Sequence, residues 1–295
     1  MGGGSPLATG GVVLSERTHD LSALPRLAID PAQRDPSGVL RLTGPQQHYL
    51  QRVRRLRPGD LFLVLDGSGK LWAAHWQAQG SQIVGEVETL PRELPVFLHL
   101  GLAVVKGQGF DEVLRQVTEL GVARITPLLT ERTVLEPGSG RQERWQKIVR
   151  EAAEQCERLR WPQVDPPTPW TSWLAELQAV RATRTESFWW GIAVARHKAP
   201  PLVQALPKLR DPVLAIAIGP EGGWTVAERR QAEEYGGVCV SLGPTILRAT
   251  TAAVVATSQI AATYSFRATR TESFLDWSLD SEPLGFVSDG ERCRR

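Results

Sequence analysis

Cysteine, methionine, tyrosine and net charge are all scarce in this chain of 295 residues, which has 3 Cys, 1 Met, 3 Tyr and a formal charge of +2. Cys156, Cys239 and Cys293 stand far apart without metal-ligand spacing, which argues against a zinc site or a disulfide framework and fits a reducing cytoplasm. With 34 basic against 32 acidic residues there is no global field, so any affinity for nucleic acid has to come from local basic clusters. No run approaches the ~20 apolar residues of a membrane span. Met1 to Thr18 lacks the basic start and apolar core of a secretory signal. A phosphate loop of the form Gly-x-x-x-x-Gly-Lys-Ser/Thr is missing too, as are paired carboxylates at metal-binding spacing, which disfavours a nucleotide-binding hydrolase. What is present is 42% hydrophobic residues, enough over this length for a sizeable core and two domains.

The first part alternates short apolar runs with turns. Pro45 to Leu56 reads as a helix, and Leu61 to Leu65, Leu71 to Trp76 and Ile83 to Val87 read as strands, with Asp66-Gly67-Ser68-Gly69-Lys70 as a hairpin turn. That pattern predicts a small β-barrel over 25–94, after a flexible tail at 1–24. Beyond Pro91 to Pro95 the period changes. Strands at Val96 to Val105, Val122 to Leu129, Phe188 to Val194 and Val213 to Ile218 alternate with helices at Phe110 to Leu120 and Arg141 to Arg160, which is α/β order over 95–265. The octapeptide Arg181 to Phe188 recurs at Arg267 to Phe274; both copies read as surface insertions, the second opening a polar tail over 266–295.

Two strands run straight into Gly/Pro loops that open helices: Val213 to Ile218 into Ile218-Gly219-Pro220-Glu221-Gly222-Gly223, and Val238 to Leu242 into Leu242-Gly243-Pro244-Thr245-Ile246-Leu247-Arg248. In a parallel α/β sheet the crevice beyond the carboxyl ends of the strands binds ligands, and glycine lets the backbone approach them. Thr225 and Glu228 have capping-box spacing, which places a helix just after the first loop. The small-residue run Thr250 to Tyr264 predicts a closely packed last helix. Taken one at a time, these are ordinary turns of a doubly wound protein. In order and at this separation they outline one site.

Together with Gly-Pro-Glu-Gly-Gly and Leu-Gly-x-x-Ile-Leu-Arg, several further segments match one family in order. They are His48 to Asp60, Val105-Lys106-Gly107, Thr118 to Val122, Ile125 to Leu128 with Glu131-Arg132, and Glu151 to Arg158. From about Arg26 to Tyr264 the chain resembles the small-subunit ribosomal RNA uridine-N3 methyltransferases of the SPOUT class. The resemblance implies an α/β trefoil-knot SPOUT domain behind a PUA-like barrel, S-adenosylmethionine as cofactor, and a cytoplasmic homodimer acting on 16S ribosomal RNA or the small ribosomal subunit. Ile218, Gly219, Pro220, Glu221, Gly222 and Gly223 would hold the donor with Leu242, Gly243, Ile246 and Leu247, while Leu128 and Leu129 would form an apolar wall. Arg248 would stabilise the uracil anion, its alternatives being a phosphate contact or a helix-start ion pair. Glu221 would orient the donor loop or accept a hydrogen bond from the donor. RNA contacts would fall on His48, Arg52, Arg54, Arg55, Arg57, Lys106, Arg132 and Arg158, with Arg144 and Lys147 extending the track. Trp72 and Trp76 read as barrel core. The family's usual Arg and Glu are replaced by Thr245 and Thr250, a common Lys by Gln116, and its basic aromatic opening is reduced to Pro25-Arg26-Leu27. A non-catalytic RNA-binding relative of the same fold is the rival reading.

Overall fold

The computed structural model describes residues 14–15, 21, 23–89, 92–105, 109–133, 140–183, 188–208 and 213–271, with backbone alone at 14–15 and 266–271. The first sheet contains β1 (Leu14–Ser15), β2 (Arg26–Ala28), β3 (Val39–Leu40), β4 (Leu61–Leu65), β5 (Leu71–His75) and β6 (Ser81–Glu88), in the order β1-β6-β5-β4-β2 with β3 also on β6. The hairpin β4–β5 turns at Asp66, whose carboxylate accepts the Ser68 N–H at 2.9 Å. Part of the segment expected to be a free tail belongs to this sheet. β1 pairs in parallel with β6, and Leu21 packs into the barrel core, because the edge of β6 offers unpaired backbone groups. Trp72 and Trp76 are buried as expected, and Arg34 stacks over Trp72 at 4.5 Å. The expected helix at Pro45 to Leu56 divides into α1 (Gly44–His48), capped by Thr43 and Gln46, and a π-helical turn over Tyr49–Val53.

The second sheet is parallel throughout: β7 (Phe97–Ala103), β8 (Arg124–Leu129), β9 (Gln163–Val164), β10 (Thr168–Pro169), β11 (Phe188–Ala193), β12 (Val213–Ile218) and β13 (Val238–Val240). Its order is β10-β8-β7-β12-β11-β13, with β9 beside β8. Continuous apolar runs such as Val213–Ile218 suit a strand covered on both faces. One face packs against α2 (Gly109–Glu119), α3 (Arg141–Gln155), α5 (Leu202–Ala205) and α7 (Ala249–Thr271), and the other against α4 (Trp170–Thr183) and α6 (Val226–Glu234). Gly101 in β7 gives the indole of Trp173 its room, since a Cβ there would lie 2.7 Å from that ring. α3 stops at Gln155, five residues before the expected end, where the chain turns out through Glu157 at φ 64°. The first octapeptide copy is not an appended loop: Arg181–Thr183 finish α4 and Phe188 opens β11. α7 likewise continues to Thr271, into the second copy. No helix among the described residues is long and apolar enough to cross a membrane.

Candidate functional site

β11, β12 and β13 lie side by side and end at the same edge, so three loops meet there. Val194–His197, Gly219–Trp224 and Ser241–Arg248 surround a cleft of about 790 Å³. The first-predicted loop is clamped from three directions. Trp224 donates its indole N–H to the Ala193 carbonyl at 3.0 Å, and its ring covers Gly219, where a Cβ would sit 2.9 Å from it. Arg132 donates to the Gly222 carbonyl at 2.6 Å. The capping box forms as expected, with Glu228 N–H donating to Thr225 Oγ1 at 3.1 Å and Thr225 N–H to Glu228 Oε2 at 2.8 Å. The buried Glu228 also accepts the Glu131 N–H at 2.9 Å, which ties the end of β8 to the loop after β12.

On the other side the Leu242–Leu247 loop is anchored by Ser241, whose N–H donates to the Pro200 carbonyl at 2.8 Å and whose carbonyl accepts the Leu202 N–H at 2.9 Å. Gly243 has φ 148° and Gly223 φ 70°, and a Cβ built at either would meet nothing within 4 Å. Both therefore leave open space at the cleft that a side chain would occupy, at backbone angles that L residues rarely adopt. Ile246, 60% exposed, offers an apolar lip. A second cavity of about 750 Å³ adjoins, walled by Glu112 and Gln116 of α2 and by Thr250, Thr251 and Val254 of α7. Glu221, Arg248 and Ala249 line both spaces, so the two candidate catalytic side chains stand where the cavities meet. Thr245 lines the first cavity and Thr250 the second.

All of the expected donor-loop residues from Ile218 to Gly223, and Leu242, Gly243, Ile246 and Leu247, line the cleft. Leu128 and Leu129 are not brought to it. Leu128 is fully buried in the core on the α4 side of the sheet and Leu129 is half-buried at the strand end, because β8 is separated from β12 by β7. Among the RNA candidates, His48, Arg52, Arg54, Arg55 and Arg57 are exposed on one turn of the barrel, and none of these side chains has a hydrogen bond or ion pair among the described residues. Arg132 is exposed but braces Gly222. Arg144 pairs with Asp111 at 2.6 Å and Lys147 with Glu151 at 3.7 Å. Lys106 lies outside the described residues. Arg158 is a correction: only 4% exposed, it donates to Glu93 at 2.6 Å and to the carbonyls of Thr118 and Val122 at 2.8 and 2.9 Å, which leaves no face for RNA.

Two features escaped the sequence reading. One is the Val194–His197 loop, whose signal was simply that it follows a parallel strand beside the other two. The other is a buried polar chain behind the sheet, where His99 Nε2 lies 2.7 Å from Thr126 Oγ1, Thr126 bonds to Asp165, and Asp165 pairs with Arg124 at 2.8 Å. Burial, and secondarily Arg124, lower the His99 pKa to about 3, so the imidazole is neutral in the fold. No motif spacing announces either feature.

A small barrel joined to a parallel α/β domain, with a glycine-lined cleft at the carboxyl ends of adjacent strands, defines a two-part ligand-binding protein of the doubly wound type. Residues 92–261 match the family model described as RNA methyltransferase domain, and 42–78 the model described as RNA methyltransferase PUA domain. Ribosomal RNA small subunit methyltransferase E of Synechocystis is 43% identical over 238 residues, covering 80% of this chain and 76% of the relative. That of Bacillus subtilis is 31% identical, covering 74% and 88%. In three dimensions, ribosomal RNA small subunit methyltransferase E from Neisseria gonorrhoeae bound to S-adenosyl methionine aligns with a TM-score of 0.69 at 27% identity, covering 82% of this chain and 98% of that one. A methyltransferase of Legionella pneumophila in complex with the bound cofactor SAM aligns with a TM-score of 0.68 at 28% identity, covering 81% and 97%. The chain belongs to this RNA methyltransferase family and is an enzyme of it.

Proposed function

We propose that this protein transfers a methyl group from S-adenosylmethionine to N3 of a uridine in small-subunit ribosomal RNA. The observation that carries the reading is the meeting of the two cavities at Glu221 and Arg248, one space walled by glycine loops and one by α2 and α7. The open Cβ positions of Gly223 and Gly243 and the apolar lip at Ile246 fit a donor held largely by backbone. When bound, S-adenosylmethionine supplies an activated methyl group on a sulfonium.

The residues present then have three tasks. The loops 218–223 and 242–247 orient the donor, since alignment of a bimolecular step is worth up to ~7–11 kcal/mol. Arg248 faces the acceptor side, where a guanidinium stabilises the negative charge that appears on uracil O2 and O4 as the N3 proton leaves. Glu221, which lines both cavities as Arg248 does, orients the acceptor or takes up that proton. The exposed barrel cluster at His48, Arg52, Arg54, Arg55 and Arg57, within residues 25–94, supplies phosphate contacts to the RNA. Homodimerisation and action in the cytoplasm, which the family resemblance implies, complete the reading.

Calorimetry with S-adenosylmethionine tests the donor site. The native chain is expected to bind, and Gly243→Val to lose at least tenfold in affinity while keeping its thermal midpoint within a few degrees. Equal donor affinity in the two proteins would place the donor elsewhere.

A further inference from the structure

The loop that follows β11 carries three consecutive basic residues, Arg196-His197-Lys198, all exposed. Arg196 and His197 line the first cleft beside the two glycine loops. None of the three side chains has an ion pair or hydrogen bond among the described residues. The rest of the rim adds Arg132, Arg229 and Arg248, against one acid, Glu221. This excess of positive charge does not suit the donor. S-adenosylmethionine carries a sulfonium, an ammonium and one carboxylate, a net charge of about +1 near neutral pH. A rim of arginines repels such a molecule and attracts a polyanion.

The backbone points the same way. Arg196 is held at φ 60°, one of three residues other than glycine with positive φ among the described residues, the others being Arg55 and Glu157. Glu157 is accounted for, because its carboxylate pairs with Arg26 at 3.1 Å and Arg92 at 2.9 Å. Arg55 and Arg196 are both exposed cations without a partner among the described residues, at positions where glycine would fit the backbone better. A side chain kept at such a position calls for a use outside the fold.

We infer that Arg196 and Lys198, on the β11 loop, bind phosphates of the RNA strand that presents the acceptor base, forming a second phosphate-binding element at the donor cleft itself, separate from the barrel cluster. Long-range placement of the substrate would come from the barrel, and local placement from this loop. The inference rests on the proposed RNA substrate.

The test uses the full chain and its double variant Arg196→Gly with Lys198→Ala. Glycine keeps the positive φ while removing the cation, so the variant is expected to melt no lower than the native protein. Affinity for small ribosomal subunits lacking the modification is measured from about 50 to 200 mM salt, and donor affinity by calorimetry. The log-log salt slope of the variant is expected to fall by about 1.4–1.8, from about 0.7–0.9 for each lost phosphate contact. Donor affinity should stay within about twofold of native or tighten, because positive charge has been removed near a cation. An unchanged slope in the variant of a methylating native protein overturns the loop's role and leaves the function standing. Weakened donor binding with an unchanged slope would instead assign the loop to the donor's carboxylate, which also overturns the inference. A native protein that transfers no methyl group to the subunit overturns the function and this inference with it.

Discussion

Arg158 and Arg55 look alike in the sequence, each a basic residue within a segment that matches a nucleic-acid-modifying family, yet the fold uses them in opposite ways. Arg158 is enclosed by Glu93 and two backbone carbonyls, whereas Arg55 projects from the barrel with no partner among the described residues. Arg158→Ala would remove the bonds to Glu93, which keeps the Arg160 N–H, to the Thr118 carbonyl, which keeps the Gly121 N–H, and to the Val122 carbonyl, a loss of about 1–3 kcal/mol that urea denaturation would measure. Stability within 0.5 kcal/mol of native would show the pairing to be idle. Arg248 carries the opposite expectation. Arg248→Ala should leave the melting point unchanged, because the exposed side chain has no hydrogen bond or ion pair among the described residues, and should slow single-turnover methylation roughly 10²–10³-fold on the analogy of a lost oxyanion donor. A smaller loss than that from Thr245→Ala or Thr250→Ala would remove Arg248 from the acceptor side. At this scale the sequence distinguishes residue type but not surroundings. The glycines of the two loops were legible because their spacing is local. The burial of Leu128 was not, since it depends on which strands become β8's neighbours, nor that of Arg158, which rests on Glu93 and the carbonyls of Thr118 and Val122, all distant in sequence.

Elements whose cause is local appear where periodicity puts them. β4 and β12 span the residues their apolar runs occupy, and α6 begins at its Thr225–Glu228 box. α4 went unexpected although its buried residues Trp170, Trp173, Leu174 and Leu177 fall at i, i+3, i+4 and i+7, because Ala175 and Ala179 on its exposed side blur the contrast between the faces. The chain from His99 on β7 through Thr126 on β8 to Asp165 after β9 was equally hidden, as it joins three elements far apart in sequence. It has a measurable consequence. His99 is protonated below about pH 6.5 in the unfolded chain but only near pH 3 in the fold, where Trp173, Thr126, Asp165 and Arg124 surround it. The unfolded state therefore binds the extra proton between those values. The stability contribution is complete above about pH 6.5 and falls on acidification by up to about 1.4 kcal/mol per pH unit. Urea midpoints of the native protein and of His99→Gln across that range should diverge, with the variant's profile the flatter. Parallel profiles would mean that the imidazole takes up its proton at the same pH in the fold as in the unfolded chain.

For the whole molecule, two domains were legible from the change of period near Pro95, but not the way they dock. The segment after α3 does this. Leu159 packs into the barrel core, its carbonyl accepts the Gly69 N–H at 3.1 Å, and Glu157 pairs with Arg26 across the boundary. A barrel fixed to the α/β domain holds its basic turn at a set distance from the cleft, which under the proposed function presents RNA bound by one to the other. The departures at Thr245 and Thr250 bear on this scale as well, since they fall on the walls of the two cavities that a donor and a base would fill. The most direct test of the account is to incubate the purified protein with S-adenosylmethionine labelled in its methyl group and small ribosomal subunits lacking the modification, then to map the label in the RNA. The expected result is one labelled uridine, methylated at N3. Subunits that bind the protein and acquire no label, with label appearing only after Thr245→Arg and Thr250→Glu are introduced together, would contradict the account and identify the native chain as a non-catalytic RNA-binding relative.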